Sequence, residues 1–314
     1  MRTREASSGG VIRRDDTADS GAAGAASLTD RSAFIPLFTR ARIGWVRTFL
    51  MTWVHCFSLS GLYKLGQCFG FLEYLTDYKR RRRVHRKLLS LFGDQFDESR
   101  RRRLTCRYFM RIRCDKMFYT IMDRIPRNKL MNRIKLFGLS HIDDALRKGN
   151  GVYVALCHFG SHHIAGLIMA LLGYELAGIR DSRESPVRRF IQQKYRETFP
   201  EVSKMKLFPA TSFPRGIYRH LQGNKIVASL LDADRKRGER TKTLPAVLFG
   251  CRSTTLQGFV VSRRNFYFQL IITPPLIDPE AVEDETEAIA CALRRYAEVV
   301  ERFARENPDH LMNI

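Results

Sequence analysis

GVYVALCHFG, residues 151–160, is the stretch that decides the fold of this 314-residue chain. Val152–Leu156 is apolar on both faces, a pattern typical of a strand buried within a parallel sheet. The heptad Cys157–His163 follows at once and opens a helix, and Gly160 permits a tight turn between them. The sequence therefore predicts a strand–turn–helix unit that holds His158 at the carboxyl end of a buried strand.

On the carboxyl side of this unit, short apolar segments alternate with helical patterns. Further strands are predicted over residues 176–179, 226–231 and 266–272, and helices over residues 164–172, 187–198, 214–221 and 285–306. Strands that alternate with helices are typical of an α/β fold. We therefore expect a mostly parallel central sheet flanked by helices, preceded by an N-terminal helical membrane-associating region.

Composition divides the chain into three parts. Residues 1–32 are rich in Gly, Ala, Ser, Asp and Arg, so we expect a disordered tail there. Residues 33–78 are apolar and aromatic, and we expect them to form membrane-associating helices. Residues 79–314 are predicted to form the α/β domain, with a basic helical lead-in over residues 79–148.

The membrane-associating part has a core that is short for a transmembrane span. Thr48–Tyr63 contains 16 residues without Lys, Arg, Asp or Glu, whereas a spanning helix needs roughly 20 apolar residues. Basic flanking residues, Trp45 and Trp53 favour an interfacial or marginally spanning anchor. An ordinary packed helix is the alternative.

The charge of the chain predicts an anionic partner. Lys and Arg number 54 against 32 Asp and Glu, a formal net charge of +22. Nucleic acid, anionic lipid and an acidic protein would each suit this charge. Zinc-finger, helix-turn-helix and aromatic RNA-binding signatures are lacking, so no nucleic acid is expected. A non-enzymatic basic protein that binds membrane or nucleic acid stays open as an alternative.

The histidine at the strand end is the candidate catalytic residue. Ligands of open α/β sheets bind outside the carboxyl ends of the strands, and a histidine held there can act as a general base at neutral pH. A structural core histidine is the alternative. A metal site built on His158, His162 and His163 is not expected, because neither a nearby carboxylate nor a Cys pair supports it.

A series of short motifs extends this picture from about residue 60 to the C-terminus. Their order is Ile134–Gly138, Ala145–Gly149, Gly151–Gly160, Ile179–Arg180, Ser185–Pro186, Tyr195–Glu197, Leu231–Asp234, Leu248–Gly250, Thr254–Gly258 and Ile272–Pro275. In these motifs the chain resembles the late acyltransferases of lipid A biosynthesis, the lauroyl and myristoyl transferases of the glycerolipid acyltransferase superfamily.

The resemblance implies a reaction and a base. It implies transfer of a fatty acyl group from an acyl carrier protein or CoA thioester to a hydroxyl of a lipid A precursor or related glycolipid, without a cofactor. His158 would be the general base of the family motif H-x4-D/E, in which the acid orients the imidazole. This chain has His163 at the position of the acid.

The substitution leaves three alternatives open. Asp232 or Asp234, at the end of another predicted strand, supplies the carboxylate. In the second, His158 and His163 work as a pair at a reduced rate. In the third, the chain is a homologue whose transferase activity is impaired or lost.

The resemblance also implies a substrate site and a location. The substrate-binding residues are predicted to be Arg180, Arg183, Arg196, Gly160, Phe249 and Gly250. The arginines would bind phosphate through paired guanidinium hydrogen bonds. Membrane lipids and an acyl carrier protein are the expected partners, and the cytoplasmic face of a bacterial inner membrane is the expected location, with peripheral or single-span attachment.

Overall fold

The computed structural model describes residues 35–180, 184–209, 213–231, 246–277 and 284–311. The helices are α1 (Leu37–Thr76), α2 (Tyr78–Phe92), α3 (Glu98–Ile121), α4 (Arg127–Met131), α5 (Leu139–Arg147), α6 (Ala165–Leu171), α7 (Pro186–Thr198), α8 (Pro200–Ser203), α9 (Phe213–Gln222) and α10 (Glu285–Glu306). The strands are β1 (Ile134–Phe137), β2 (Val152–Gly160), β3 (Leu176–Arg180), β4 (Lys206–Pro209), β5 (Ile226–Leu230), β6 (Thr254–Arg263) and β7 (Tyr267–Ile272). The tail predicted over residues 1–32 lies outside the described residues.

The strands form a single mixed sheet in which parallel pairing dominates. Its order is β1-β7-β6-β2-β5-β3-β4. Neighbouring strands from β6 to β4 pair in parallel, and so do β1 and β7, whereas β6 and β7 pair antiparallel. The predicted α/β class with a mostly parallel sheet and flanking helices is confirmed.

Strand β2 lies at the centre of the sheet and is covered on both faces. Val154 and Leu156 pack in one hydrophobic cluster, with apolar residues of α5, α6 and α7. Tyr153, Ala155 and Cys157 point to the opposite face and pack with α9 and α10. Burial on both faces explains why this strand is apolar throughout rather than alternating.

Three strands were not predicted from the sequence. β1 and β4 are four-residue strands at the two edges of the sheet. β6 is ten residues long and almost fully buried, but it begins with Thr254, Thr255 and Gln257. Buried polar residues interrupt the apolar pattern that marks an inner strand, and short edge strands carry little pattern at all.

Helix α1 is broken at Ser58, whose backbone has φ 65° and ψ 175°. Both halves pack against α3. In the first half, the guanidinium of Arg47 donates to both carboxylate oxygens of Asp123, at 3.0 and 2.5 Å, and to the carbonyl of Thr120 at 2.7 Å. In the second half, Gly70 lies against the backbone of Met110. Arg47, one of the basic residues that flank Thr48–Tyr63 in the sequence, is therefore buried in an ion pair.

Much of the outer surface of α1 is apolar. Large exposed apolar side chains on this helix are Leu37, Phe38, Trp45, Val46, Phe49, Phe57, Phe69, Phe71, Leu72 and Leu75. Over the described ranges, no helix combines the length and the apolarity that crossing a bilayer requires.

Replacement of Ser58 by glycine is expected to stabilise the protein. The region near φ 65°, ψ 175° is essentially restricted to glycine, and a side chain held there costs about 1–3 kcal/mol. We expect Ser58→Gly to raise the free energy of unfolding in urea by about 1 kcal/mol. The control is Ser60→Gly, two residues further along, which should lower the free energy of unfolding by about 0.5 kcal/mol. Destabilisation by both substitutions would contradict the break at Ser58.

Candidate active site

The strand that carries His158 changes register just before it ends. Leu156 pairs with Gly258 and Gly160 pairs with Val260, so β2 uses more residues than β6 over the same length and bulges. On its other side β2 loses its neighbour, because β5 ends at Leu230, which pairs with Leu156. Bulges beside active sites re-aim side chains. His158 lies in this bulge.

The turn after the bulge requires glycine. Gly160 has φ +54°, and a Cβ atom there would lie 2.0 Å from the carbonyl oxygen of Val260. The N–H of Ser161 donates to the same oxygen at 2.9 Å. Gly160 thus allows the backbone of the turn to approach β6, a structural role that adds to its predicted role at the substrate.

The three histidines lie in a row of ring contacts. The ring centroids of His158 and His162 are 5.0 Å apart, and those of His162 and His163 are 5.7 Å apart. His163 packs edge-on against Tyr119, at 4.6 Å. His162 therefore contacts both rings that the sequence interpretation treats as a pair. Across the ranges that the structure covers, no group of three His, Cys, Asp or Glu side chains is arranged to hold a metal ion.

The imidazole of His163 is neutral at physiological pH. Burial, and after it the positive charges of Arg188, Arg111 and Lys116, together lower its pKa from 6.5 to about 3. A neutral imidazole can orient a neighbour by hydrogen bonding, but it supplies no negative charge to stabilise an imidazolium.

The buried carboxylate of Asp115 contacts the turn that follows β2. One oxygen of Asp115, on α3, accepts hydrogen bonds from the guanidinium of Arg111 at 2.9 Å and from the hydroxyls of Ser161 and Ser262, each at 2.8 Å. All four side chains are buried. Asp115 therefore ties the turn that follows His158 to α3 and to the end of β6.

The C-terminal turn Pro308–His310 closes this network from the other side. Arg111 Nε donates to the carbonyl of Asp309 at 2.9 Å, and His310 Nε2 lies 3.0 Å from the carbonyl of Ser262. Burial raises the pKa of Asp309, but the hydrogen bond and charge of His310 and the charge of Arg111 outweigh it and bring it to about 2. The network thus contains a second carboxylate, that of Asp309.

Sequence reasoning missed this network. The lead-in was predicted only as basic and helical, whereas Arg111 is buried and forms an i,i+4 pair with Asp115. A sequence signal did exist. Both residues lie within the apolar stripe that contains Tyr108 and Ile112, and a charged pair at that spacing on a buried face indicates a paired buried charge.

The predicted basic residues are not all brought together. Arg180 is the last residue of β3, and Arg183 lies outside the described residues. Arg196 donates to the carbonyl of Met205 at 3.1 Å and packs against the chain that leads into β4. Arg188 is the arginine of α7 whose charge acts on His163, and its Nε lies 3.2 Å from the carboxylate of Glu184.

The remaining predicted residues divide into two pairs. Asp232 and Asp234 lie outside the described residues. Phe249 and Gly250 belong to the π-helical turn Ala246–Gly250, which precedes the start of β6.

This turn lies at the amino ends of the central strands, whereas His158 lies near the carboxyl end of β2. Thr254, just after it, pairs with Val152 at the amino end of β2. At about 3.3 Å per residue, His158 is about 20 Å further along the strand. The structure therefore does not bring Phe249 and Gly250 together with His158.

The fold and the site define an α/β protein whose histidine lies at the carboxyl edge of the central strand, the usual ligand-binding edge of such sheets. The sequence model of the bacterial lipid A biosynthesis acyltransferases matches residues 33–314, and the chain belongs to that family. No curated protein matches the chain significantly.

Proposed function

We propose that this protein transfers a fatty acyl group from a carrier thioester to a hydroxyl of a lipid A precursor or a related glycolipid, with His158 as the general base. The exposure of His158 is the observation that carries the proposal. Every other residue of β2 is buried, and His158 is the partly exposed one, at the carboxyl end of the central strand. It can therefore meet a substrate while its neighbours hold the backbone in place.

The reaction needs one proton transfer before the bond is made. An imidazole nitrogen of His158 takes the proton of the acceptor hydroxyl, and the oxygen attacks the thioester carbonyl. The C–S bond then breaks, His158 returns the proton to the leaving sulfur, and the carrier departs as a thiol. Arginines near the carboxyl edge, Arg180 and Arg188 among them, would bind phosphate of the acceptor or the donor.

The partner of His158 is the open point of this mechanism. His163 is neutral and provides no charge to an imidazolium. Leu230 pairs with Leu156, and Asp232 follows Leu230 by two residues in the sequence. Asp232 is therefore our first candidate for the missing carboxylate, followed by Asp234. A homologue with slow or lost transfer is the second candidate function, and the neutral state of His163 favours it.

The donor is proposed to be an acyl carrier protein. Two basic runs, Lys79–Arg83 on α2 and Arg100–Arg103 on α3, expose six cationic side chains: Lys79, Arg82, Arg83, Arg100, Arg102 and Arg103. An acidic carrier surface would be attracted to such a face. An acyl-CoA donor would depend less on this surface, so rates with the two donors should respond differently to salt.

The location is proposed to be the cytoplasmic face of a bacterial inner membrane. The exposed apolar side chains of α1, including Trp45 and Phe49, would enter the interface. The positive charge of the chain would favour anionic headgroups.

Lipid mass spectrometry tests the proposed reaction. Lipids are compared between cells with and without the gene, and purified protein is assayed with acyl carrier protein and CoA thioesters. A lipid that gains one acyl chain only when the gene is present supports the proposal. If the lipids of the two strains are identical and neither donor is consumed, the proposed function is wrong.

His163→Glu is expected to accelerate transfer roughly tenfold if no other carboxylate, such as that of Asp232, already acts on His158. Burial would raise the pKa of a carboxyl at this position, and the positive charges of Arg188, Arg111 and Lys116 would oppose that rise and favour the carboxylate. A charge-assisted hydrogen bond is worth about 1–1.5 kcal/mol more than a neutral one, which corresponds to about a factor of ten in rate. The measurement is kcat with the preferred donor.

The matched control is His163→Gln, which is neutral and should not exceed the wild-type rate. Equal rates for the two variants would contradict a missing charge at position 163. Asp232→Asn tests whether Asp232 already supplies the carboxylate. If it does, the transfer rate of this variant should fall below that of the wild type.

A further inference from the structure

A cleft of about 410 Å³ opens between the two halves of α1 and helix α3. Its apolar walls include Phe49 and Leu50 from the first half of α1, Phe69 from the second half and Met117 from α3. Arg113 and Lys116 contribute the cationic side of the cleft. A volume of this size is typical of small-molecule sites. The cleft therefore combines a hydrocarbon-lined space with a positively charged rim.

The positive charge at the rim exceeds the nearby negative charge. Glu73 pairs with both Arg80, at 2.6 Å, and Arg113, at 2.5 Å. Lys116, which is exposed, adds a third cation. The carboxylate of Glu73 therefore lies among three cations, and the excess positive charge would favour an anion such as a phosphate.

The cleft opens onto the exposed apolar surface of α1. Of its wall residues, Val46 is 46% exposed, Phe49 51% and Phe69 44%. They are continuous with the other exposed apolar side chains of the helix, Trp45 and Leu72 among them. A molecule in the cleft would therefore have its hydrocarbon part on the same surface that we expect to face lipid.

We propose that the cleft binds one anionic phospholipid of the surrounding bilayer. The phosphate lies at Arg113 and Lys116, and one acyl chain lies along Phe49, Phe69 and Met117. The bound lipid joins the two halves of α1 to α3 and holds the protein at the membrane surface. This site is distinct from the transfer reaction and does not depend on it.

Native mass spectrometry of the full chain in detergent micelles tests the site. Phosphatidylglycerol and phosphatidylcholine are the probes. We expect a one-to-one adduct with phosphatidylglycerol, in preference to phosphatidylcholine. The double variant Arg113→Gln/Lys116→Gln should weaken the adduct about 30-fold, since each basic residue near an anionic lipid contributes about a factor of five.

Two further variants keep the result interpretable. Val46→Trp fills the cleft from an exposed position and should also abolish the adduct. This variant leaves Arg113 and Lys116 in place, so its result does not depend on how their replacement affects folding. Arg86→Gln/Lys87→Gln removes the same charge from the exposed surface of α2 and should bind phosphatidylglycerol like the wild type. Equal loss in this control would show general attraction to charge and overturn the proposal.

Measured rates of acyl transfer distinguish the lipid-binding cleft from the catalytic site. If Val46→Trp lowers the transfer rate but leaves phosphatidylglycerol binding intact, the cleft holds the donor's acyl chain and the proposal is wrong. His158→Ala should bind phosphatidylglycerol normally. A wild-type protein that binds the lipid but transfers no acyl group would refute the proposed function and leave the phospholipid site standing.

Discussion

His158→Ala should reduce the rate of acyl transfer by about 10²–10⁴-fold, the usual contribution of a general base. The substitution removes the partly exposed imidazole from the bulge of β2, so the acceptor hydroxyl loses the group that takes its proton. The backbone should tolerate the change, because Gly160 and the Asp115 network also hold the turn. Initial rates of the purified variant give the measurement, and its urea midpoint should match the wild type.

The matched control is His162→Ala. The centroid of its imidazole lies 5.0 Å from that of His158. His162 is the first residue of the short 3₁₀ turn that follows β2. If His158 alone takes the proton, this variant should lose less than about tenfold in rate, because it removes a ring contact rather than the base. Cells that carry His158→Ala and show the same lipids as wild type would rule out the catalytic role of this residue.

Asp115→Ala should cost about 3–5 kcal/mol of stability, the usual effect of breaking a buried ion pair. The carboxylate accepts three hydrogen bonds through one oxygen, from Arg111, Ser161 and Ser262. Its removal leaves the buried guanidinium of Arg111 without its ion-pair partner and the two buried hydroxyls without this acceptor. Urea unfolding measures the loss as a lower midpoint with an unchanged slope.

Asp144→Ala is the control for this prediction. Asp144 lies on α5 and pairs with Arg147, but both side chains are more than half exposed. Loss of an exposed pair of this kind changes stability by less than about 1 kcal/mol. If both alanine variants unfold at the same urea concentration, the Asp115 network does not stabilise the fold.

Local patterns were sufficient for much of the α/β part. The apolar run Val152–Leu156 could only be a strand of the sheet interior, and helix 285–306 was predicted with the bounds that the structure shows. The position of His158 near the carboxyl end of this strand followed from the same run, although the strand continues past it to Gly160. These features depend on neighbours in sequence, and the apolar period reports them directly.

Pairing between distant segments was decided by packing. Asp115, Ser161 and Ser262 meet although 46 and 147 residues separate Asp115 from the two serines, and no local pattern encodes such a contact. The same holds for the shift of register that places His158 in a bulge, since it arises from the pairing of β2 with β6. The opposite placement of Phe249 and Gly250 follows from that parallel register as well. Sequence periodicity reports which face of an element is buried, whereas the partner on that face depends on the topology of the whole sheet.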